Sequence, residues 1–383
     1  MQQLWFFSEA AYPDLPPESE YDSVRVTMPN RFLDPEKAAG WWDEYLEEWQ
    51  AAAELGIGIM LNEHHGTTTC MNSTVPISAG ILARLTRHLP DSRILILGNP
   101  IANRRDPVRV AEEMAMIDVL SRGRLEVGFV RGVPYELSAM NSNPVNMTER
   151  FWEAHDVIKH AWTSHDGPVN WQGRFFEHRQ INIWPRPLQQ PHPPIWITAG
   201  SPGSAAKVGE HGYVTATFLS GFEGTRKIFD GYREAYERTH GAPAPLDRLA
   251  YAALVYTGET DEEGFEGARK LMWYISANKV PKQFANPPGY MAPEIRAMAM
   301  TGTNPYALAG ATLEQLIERG VVFAGSPDTV AAQIRRFKDH VGDFGHLLIM
   351  GQAGFLRKDE TIDGLRRFKQ EVLPQLEGAP AAA

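Results

Sequence analysis

One cysteine, Cys70, stands in 383 residues, so a single chain has neither an internal disulfide nor a cysteine-built metal site to draw on. Basic residues are also in deficit: 37 Lys and Arg against 47 Asp and Glu leave a formal net charge of −10. That balance argues against nucleic acid or an anionic membrane as the main partner, although a local positive site for an anionic cofactor remains compatible with it. No stretch approaches the roughly 18 apolar residues of a membrane span. Residues 1–10 lack the basic start and apolar run of a secretion signal, so the expected setting is the cytoplasm, with the thiol reduced. What the chain does have is apolar bulk. With 43% hydrophobic and 10% aromatic residues it can bury a large core.

Short β-like runs alternate with amphipathic runs along the chain. Leu4 to Phe7 reads as a first buried strand, followed by a Pro-rich loop from Tyr12 to Pro35. That loop far exceeds the roughly 2–6 residues usual after such a strand, which points to a functional role. Asp34 as N-cap, Pro35 at the first helical position and Gly56 at the end predict a helix over 35–55. Further strands are predicted at 57–61, 93–97, 125–130, 195–199, 214–218, 249–256 and 346–350. Helical runs follow at 78–85, 106–120, 148–162, 225–238, 262–276 and 361–373, with another after Ser204. Eight strand-then-helix units in one domain spanning 1–383 predict an α/β fold, a closed (β/α)8 TIM barrel with insertions at its C-terminal rim. Two stretches break the alternation. Residues 171–194 are Pro-rich and predict a small hairpin or extended excursion, and 278–310 predict a lid over the site.

In such a barrel reactive groups sit at the C-terminal ends of strands. Here those ends carry Glu63, His64 and His65, then Gly98 and Asn99, then Arg131, then Gly200, Ser201 and Ser204. The Gly200–Ser204 turn opens a helix, whose backbone N–H groups and dipole favour an anion. Arg131 and Arg150 could add charge for a phosphate. Adjacent histidines in extended chain point opposite ways, so His64 and His65 do not readily share one metal ion, and no metal is expected. One of the pair suits proton transfer, and the other a structural role. Trp5, Phe7, Phe129 and Phe218 either wall a pocket or are core. Trp41, Trp42, Tyr45 and Trp49 are either packing or a dimer face.

These residues, in this order, resemble the bacterial-luciferase-like flavin-dependent monooxygenases. The match runs through Asn62-Glu63-His64-His65, then residues 106–113, 117–124 and 128–132. It continues through Pro187-Leu188-Gln189 before Pro193-Pro194-Ile195, and closes at residues 325–329. The resemblance implies a TIM barrel, usually a homodimer, binding FMN at its C-terminal rim. A separate flavin reductase would supply the FMN reduced, and dioxygen would add at flavin C4a to give a peroxyflavin that oxygenates a small to medium organic substrate. It makes His64 the catalytic histidine, with Glu63 and His65 as its catalytic neighbours. Arg131, Arg150, Ser201 and Ser204 correspond to phosphate-binding positions, and Gly98-Asn99 to a peptide beside the flavin that is often cis. The chain also departs from luciferase's catalytic subunit, with Val130 in place of a cysteine, Gly200 in place of a glutamate and a distinct 12–35 loop. The alternatives are a deazaflavin-dependent oxidoreductase and a non-catalytic flavin-binding barrel. Retention of His64 speaks for an enzyme.

Overall fold

The computed structural model describes residues 3–276 and 310–377, together with positions 280, 281, 284, 287–290, 293, 297 and 308. The residue range predicted as a lid, 278–310, falls largely outside the described residues. Eight parallel strands close into a barrel: β1 (Gln3–Ser8), β2 (Gly58–Leu61), β3 (Ile94–Asn99), β4 (Leu125–Phe129), β7 (Ile195–Thr198), β8 (Val214–Phe218), β9 (Leu249–Thr257) and β11 (His346–Gln352). Closure is made by β9, which pairs with β8 through Leu249–Ala252 and with β11 through Ala250–Leu254. A two-stranded antiparallel hairpin, β5 (Val169–Gln172) and β6 (Glu177–Ile181), occupies the start of the excursion expected near 171–194.

The alternation of side chains along each strand divides the core in two. On β1, Trp5 and Phe7 join Met60, Leu95, Leu97, Leu348 and Met350 inside the barrel. Leu4 and Phe6 face the other way, into the layer between strands and helices, with Ile59, Ile94, Ile96 and Val127. The barrel floor is plugged: the Trp5 and Trp196 rings meet edge to face at 5.6 Å, and Trp5 Nε1 donates to His346 Nδ1 at 3.3 Å. Gly58 makes room for that plug, since a Cβ there would come 2.7 Å from the Trp5 ring. With the floor filled, an internal cavity can open only toward the other end.

Helix α1 (Pro35–Glu54) starts where its sequence says: Asp34 Oδ1 accepts from the Glu36 N–H at 2.9 Å, with Pro35 at the first position. Trp49 and Tyr45 of α1 are buried, and Trp41 and Trp42 pack half-buried against the same core, so this aromatic group is packing. Helices α2 (Val75–Leu85) and α3 (Pro107–Ser121) lie side by side, followed by a short α4 (Glu136–Ala139) and by α5 (Met147–Thr163), α6 (Pro202–His211) and α7 (Gly221–His240). The run expected over 262–276 is two helices, α8 (Asp261–Leu271) and α9 (Trp273–Ser276), parted at Met272. A ninth parallel strand, β10 (Val322–Gly325), was not anticipated. It pairs with Leu254–Thr257, taking the edge of β9 that β8 leaves free beyond Ala252.

Candidate active site

A cavity of about 1140 Å³ opens at the C-terminal mouth of the barrel, walled at its base by Phe7, Met60, Leu97 and Phe218. It is at or above the upper end of ordinary ligand pockets, roughly 300–1,000 Å³, which leaves space for a cofactor and a second molecule. A smaller depression of about 580 Å³ lies on the outer wall between α8 and the helix Lys358–Arg367. Paired charges line it (Lys270 with Glu360, Arg357 with Asp359), and none of the strand-end groups reaches it.

One pole of the mouth is a histidine held by a buried carboxylate. The chain leaving β2 is extended, so consecutive side chains diverge. His64 Nδ1 lies 3.0 Å from Glu136 Oε1 and 3.2 Å from the Tyr135 hydroxyl, whereas His65 Nε2 lies 2.9 Å from Glu63 Oε1. Glu136 is 1% exposed, and its Oε1 also accepts the His65 backbone N–H at 2.9 Å. A carboxylate acceptor at Nδ1 assigns the ring proton to that nitrogen, leaving Nε2 as the proton-accepting atom. Glu63 is fixed by Arg104, whose Nη2 donates to both carboxylate oxygens at 2.8 and 2.7 Å. Glu63 therefore braces the segment that presents His64.

The other pole is built for an anion. Ser201 caps α6 and accepts from the Ser204 N–H, while the Ser204 side chain returns the bond to the Ser201 N–H. Lys207 lines the cavity one turn further along α6, and Arg131 lines it too, donating to Thr148 Oγ1 at 3.3 Å and lying 4.1 Å from the Tyr290 ring centre. A Cβ added at Gly200 or Gly203 would meet nothing within 4 Å, so the space before this turn is open to a ligand. The capping box uses the Ser201 and Ser204 N–H groups, and the Ser204 hydroxyl donates to the Ser201 carbonyl at 2.8 Å, so the helix start with Lys207 and Arg131 beside it is what suits the turn to a phosphate.

His64, Glu63, Gly98, Arg131, Gly200, Ser201 and Ser204 thus share one cavity, and His65, Asn99 and Arg150 stand behind its wall. Arg150 is committed elsewhere: its Nε and Nη2 donate to the carbonyls of Ala102 and Arg104 at 3.0 and 2.8 Å, and it covers the Phe176 ring. Asn99 is fully buried at a bulge between β3 and β4, and both polar atoms of its amide lack a partner among the described residues. The Gly98–Asn99 peptide is trans; the cis bonds among the described residues precede Pro185 and Pro191. At Gly98 φ is +150°, and a Cβ there would come 2.9 Å from Asn62 Cβ, so the approach of β3 to β2 requires glycine. Of the aromatic candidates, Phe7 and Phe218 line the cavity, whereas Trp5 is in the floor and Phe129 stacks on Trp162 in the outer layer.

Several lining residues had no place in the sequence reading: Glu9, Arg25, Tyr135, Glu136, Lys207 and Tyr274. The first was within reach of the strand-end rule, since Glu9 directly follows β1. Lys207 follows Ser204 by three residues, which places both on one helical face.

A family model for luciferase-like monooxygenases matches residues 24–343. The oxygenase component of the flavin-dependent trigonelline monooxygenase of Acinetobacter baylyi is 29% identical over 240 residues, covering 61% of this chain and 64% of that protein, so the match spans just under two thirds of the relative's length. Among solved structures, a monooxygenase of Streptomyces bottropensis has 23% identity and a TM-score of 0.71, covering 96% of this chain and 98% of its own. The oxygenating constituent of 3,6-diketocamphane monooxygenase of Pseudomonas putida, a type II Baeyer-Villiger monooxygenase in complex with FMN, has 18% identity and a TM-score of 0.71, covering 98% of both chains. The chain belongs to the luciferase-like monooxygenase family.

Proposed function

We propose that the protein is an FMN-dependent monooxygenase that takes reduced FMN and dioxygen and oxygenates an organic substrate of small to medium size. One observation carries the reading: a carboxylate-held histidine and an anion cradle face each other across a single cavity large enough for a flavin and a substrate. When bound, reduced FMN supplies the two electrons with which one oxygen atom enters the substrate and the other leaves as water. Ser201, Ser204, Lys207 and Arg131 would hold the phosphate, and the unpaired amide of buried Asn99 fits a polar group of the ligand or an ordered water. His64 moves the proton. With Nδ1 committed to Glu136, its Nε2 takes or returns a proton at the reacting atoms, and the carboxylate stabilises the ring while it is charged. Glu63 and His65 hold the His64 segment in place, and Phe7, Met60, Leu97 and Phe218 keep water from the base of the site.

Reduced FMN arrives from a separate reductase in this reading, for which the "oxygenase component" in the Acinetobacter relative's name is the support. A homodimer is also proposed. Ile77 and Ile81 on α2, and Met116 and Leu120 on neighbouring α3, are each four residues apart and stand 43–63% exposed, an apolar face that a second copy would cover. The decisive test is titration with oxidised and reduced FMN, followed by oxygen consumption with reduced FMN across aldehydes, ketones and organic acids. Saturable FMN binding and substrate-dependent product formation are expected. Preferential binding of a deazaflavin, with hydride transfer and no oxygen uptake, would overturn the assignment.

A further inference from the structure

The 12–35 loop brings a guanidinium into the cavity. Its backbone is fastened to the segment after β2: the Tyr12 N–H donates to Thr68 O at 2.7 Å, Thr68 N–H to Val24 O at 3.1 Å and Val26 N–H to Gly66 O at 2.8 Å. Arg25 follows from this clamp and is 2% exposed while lining the cavity. It lies against the rings of Tyr135 and Tyr274, 5.1 and 5.8 Å from their centres. Among the described residues its one side-chain hydrogen bond goes from Nη1 to the Tyr135 hydroxyl, and Nε is buried without a partner. The carboxylate acting on it, Glu9, is engaged by Asn62 Nδ2 at 3.1 Å and by Tyr274.

A guanidinium presents five N–H donors in a planar fork. Removing it from water is costly unless an anion or several acceptors receive those donors. Among the described residues Arg25 has one hydrogen-bond acceptor, and it faces a cavity. Tyr135 ties it to the chemistry, because the same hydroxyl reaches His64 Nδ1 at 3.2 Å. The phosphate cradle on α6 is built from other residues, so Arg25 is spare for the second molecule. We infer that the substrate is an organic carboxylate, its acid group gripped by Arg25 and its body set beside His64. This rests on the proposed monooxygenase reading for the identity of the site, but the binding step does not require flavin.

The test uses the intact protein and calorimetry with three acid–amide pairs: benzoate and benzamide, cyclohexanecarboxylate and its amide, hexanoate and hexanamide. At least one acid is expected to bind about tenfold or more tightly than its amide. That ratio should fall to within about twofold in Arg25→Gln and recover only in part in Arg25→Lys, which keeps the charge and loses the fork. FMN affinity should stay within about twofold throughout. Equal binding of every acid and its amide, or an unchanged ratio in Arg25→Gln, overturns the proposal. So does a loss of FMN affinity in the Arg25 variants, which would assign the residue to the cofactor phosphate. Should Arg25→Gln fail to fold by circular dichroism, Arg25→Lys carries the comparison, and a ratio equal to the parent's is then the refuting result. Acid selectivity in a protein that binds no FMN would sink the monooxygenase reading and leave this inference standing.

Discussion

Glu48 lies away from the cavity, and its burial predicts a stability that depends on pH. It sits on α1, 1% exposed, with Oε1 accepting from Gln352 Nε2 at 2.8 Å and Oε2 without a partner among the described residues. Burial drives its pKa from 4.5 up to about 8; hydrogen bonds from Gln352 and Thr361 pull the other way, and Glu44 adds to the rise. The folded protein therefore keeps a proton that the unfolded chain has released, so stability falls as pH climbs from 4.5 toward 8 and levels off above. At pH 7 the cost is about 1.4 kcal/mol for each of the roughly 2.5 pH units above the unfolded value, about 3 kcal/mol in all. Glu48→Gln keeps the acceptor for Gln352 and cannot ionise, and its amide replaces an oxygen that already lacks a partner. Thermal unfolding of the two proteins from pH 4.5 to 9 should therefore give curves that nearly coincide at the acid end and separate progressively up to about pH 8, the variant being the more stable. A gap that does not change with pH, or a variant less stable at pH 8, would refute the claim that this carboxyl is buried protonated.

The site carries its own expectations. His64→Ala should bind FMN nearly as the parent does and lose product formation by on the order of 10²-fold, read as turnover per bound flavin; parental turnover removes His64 from the proton path. Glu136→Gln keeps an acceptor for Nδ1 and removes the charge, so kcat should drop about tenfold or more while the FMN dissociation constant holds within about twofold. Lys207→Ala should weaken FMN binding by about tenfold, and Arg150→Ala should leave it within about twofold, because Arg150 spends its donors on Ala102 and Arg104; the reverse ranking in a fluorescence titration would relocate the phosphate. Met116→Arg should shift the mass measured by light scattering from dimer to monomer without loss of helical signal; an unchanged dimer would place the interface elsewhere.

How far the sequence alone reaches depends on the range over which each physical signal acts. Asp34-Pro35 and Asp106-Pro107 carry their helix starts within three residues, and both helices begin there. β10 is four residues of buried strand between Gly320 and Ser326, and its partner is the half of β9 that β8 leaves free, so its existence depends on a closure that no local pattern encodes. The site divides in the same way. Strand ends located His64, Arg131 and Ser201, because barrel geometry fixes where strand ends go. Charge and resemblance pointed to Arg150 for the phosphate, and neither could show that two carbonyls from a turn some 46–48 residues earlier in the chain take its donors. Arg25 arrives on a loop and Tyr135 and Glu136 at the start of the four-residue α4, too short for a periodicity to announce them, and only folding brings Tyr135 and Glu136 to His64 and Arg25 to Tyr135. Strand geometry, which any chain with this alternation must share, sets the positions of His64 and of the Gly200–Ser204 turn. The groups that surround the second molecule come from the irregular segments, where substrate preference can vary without disturbing the barrel. That division is why strand ends pointed to the residues that share the cavity, whereas the acid-binding role inferred for Arg25 required the folded loop.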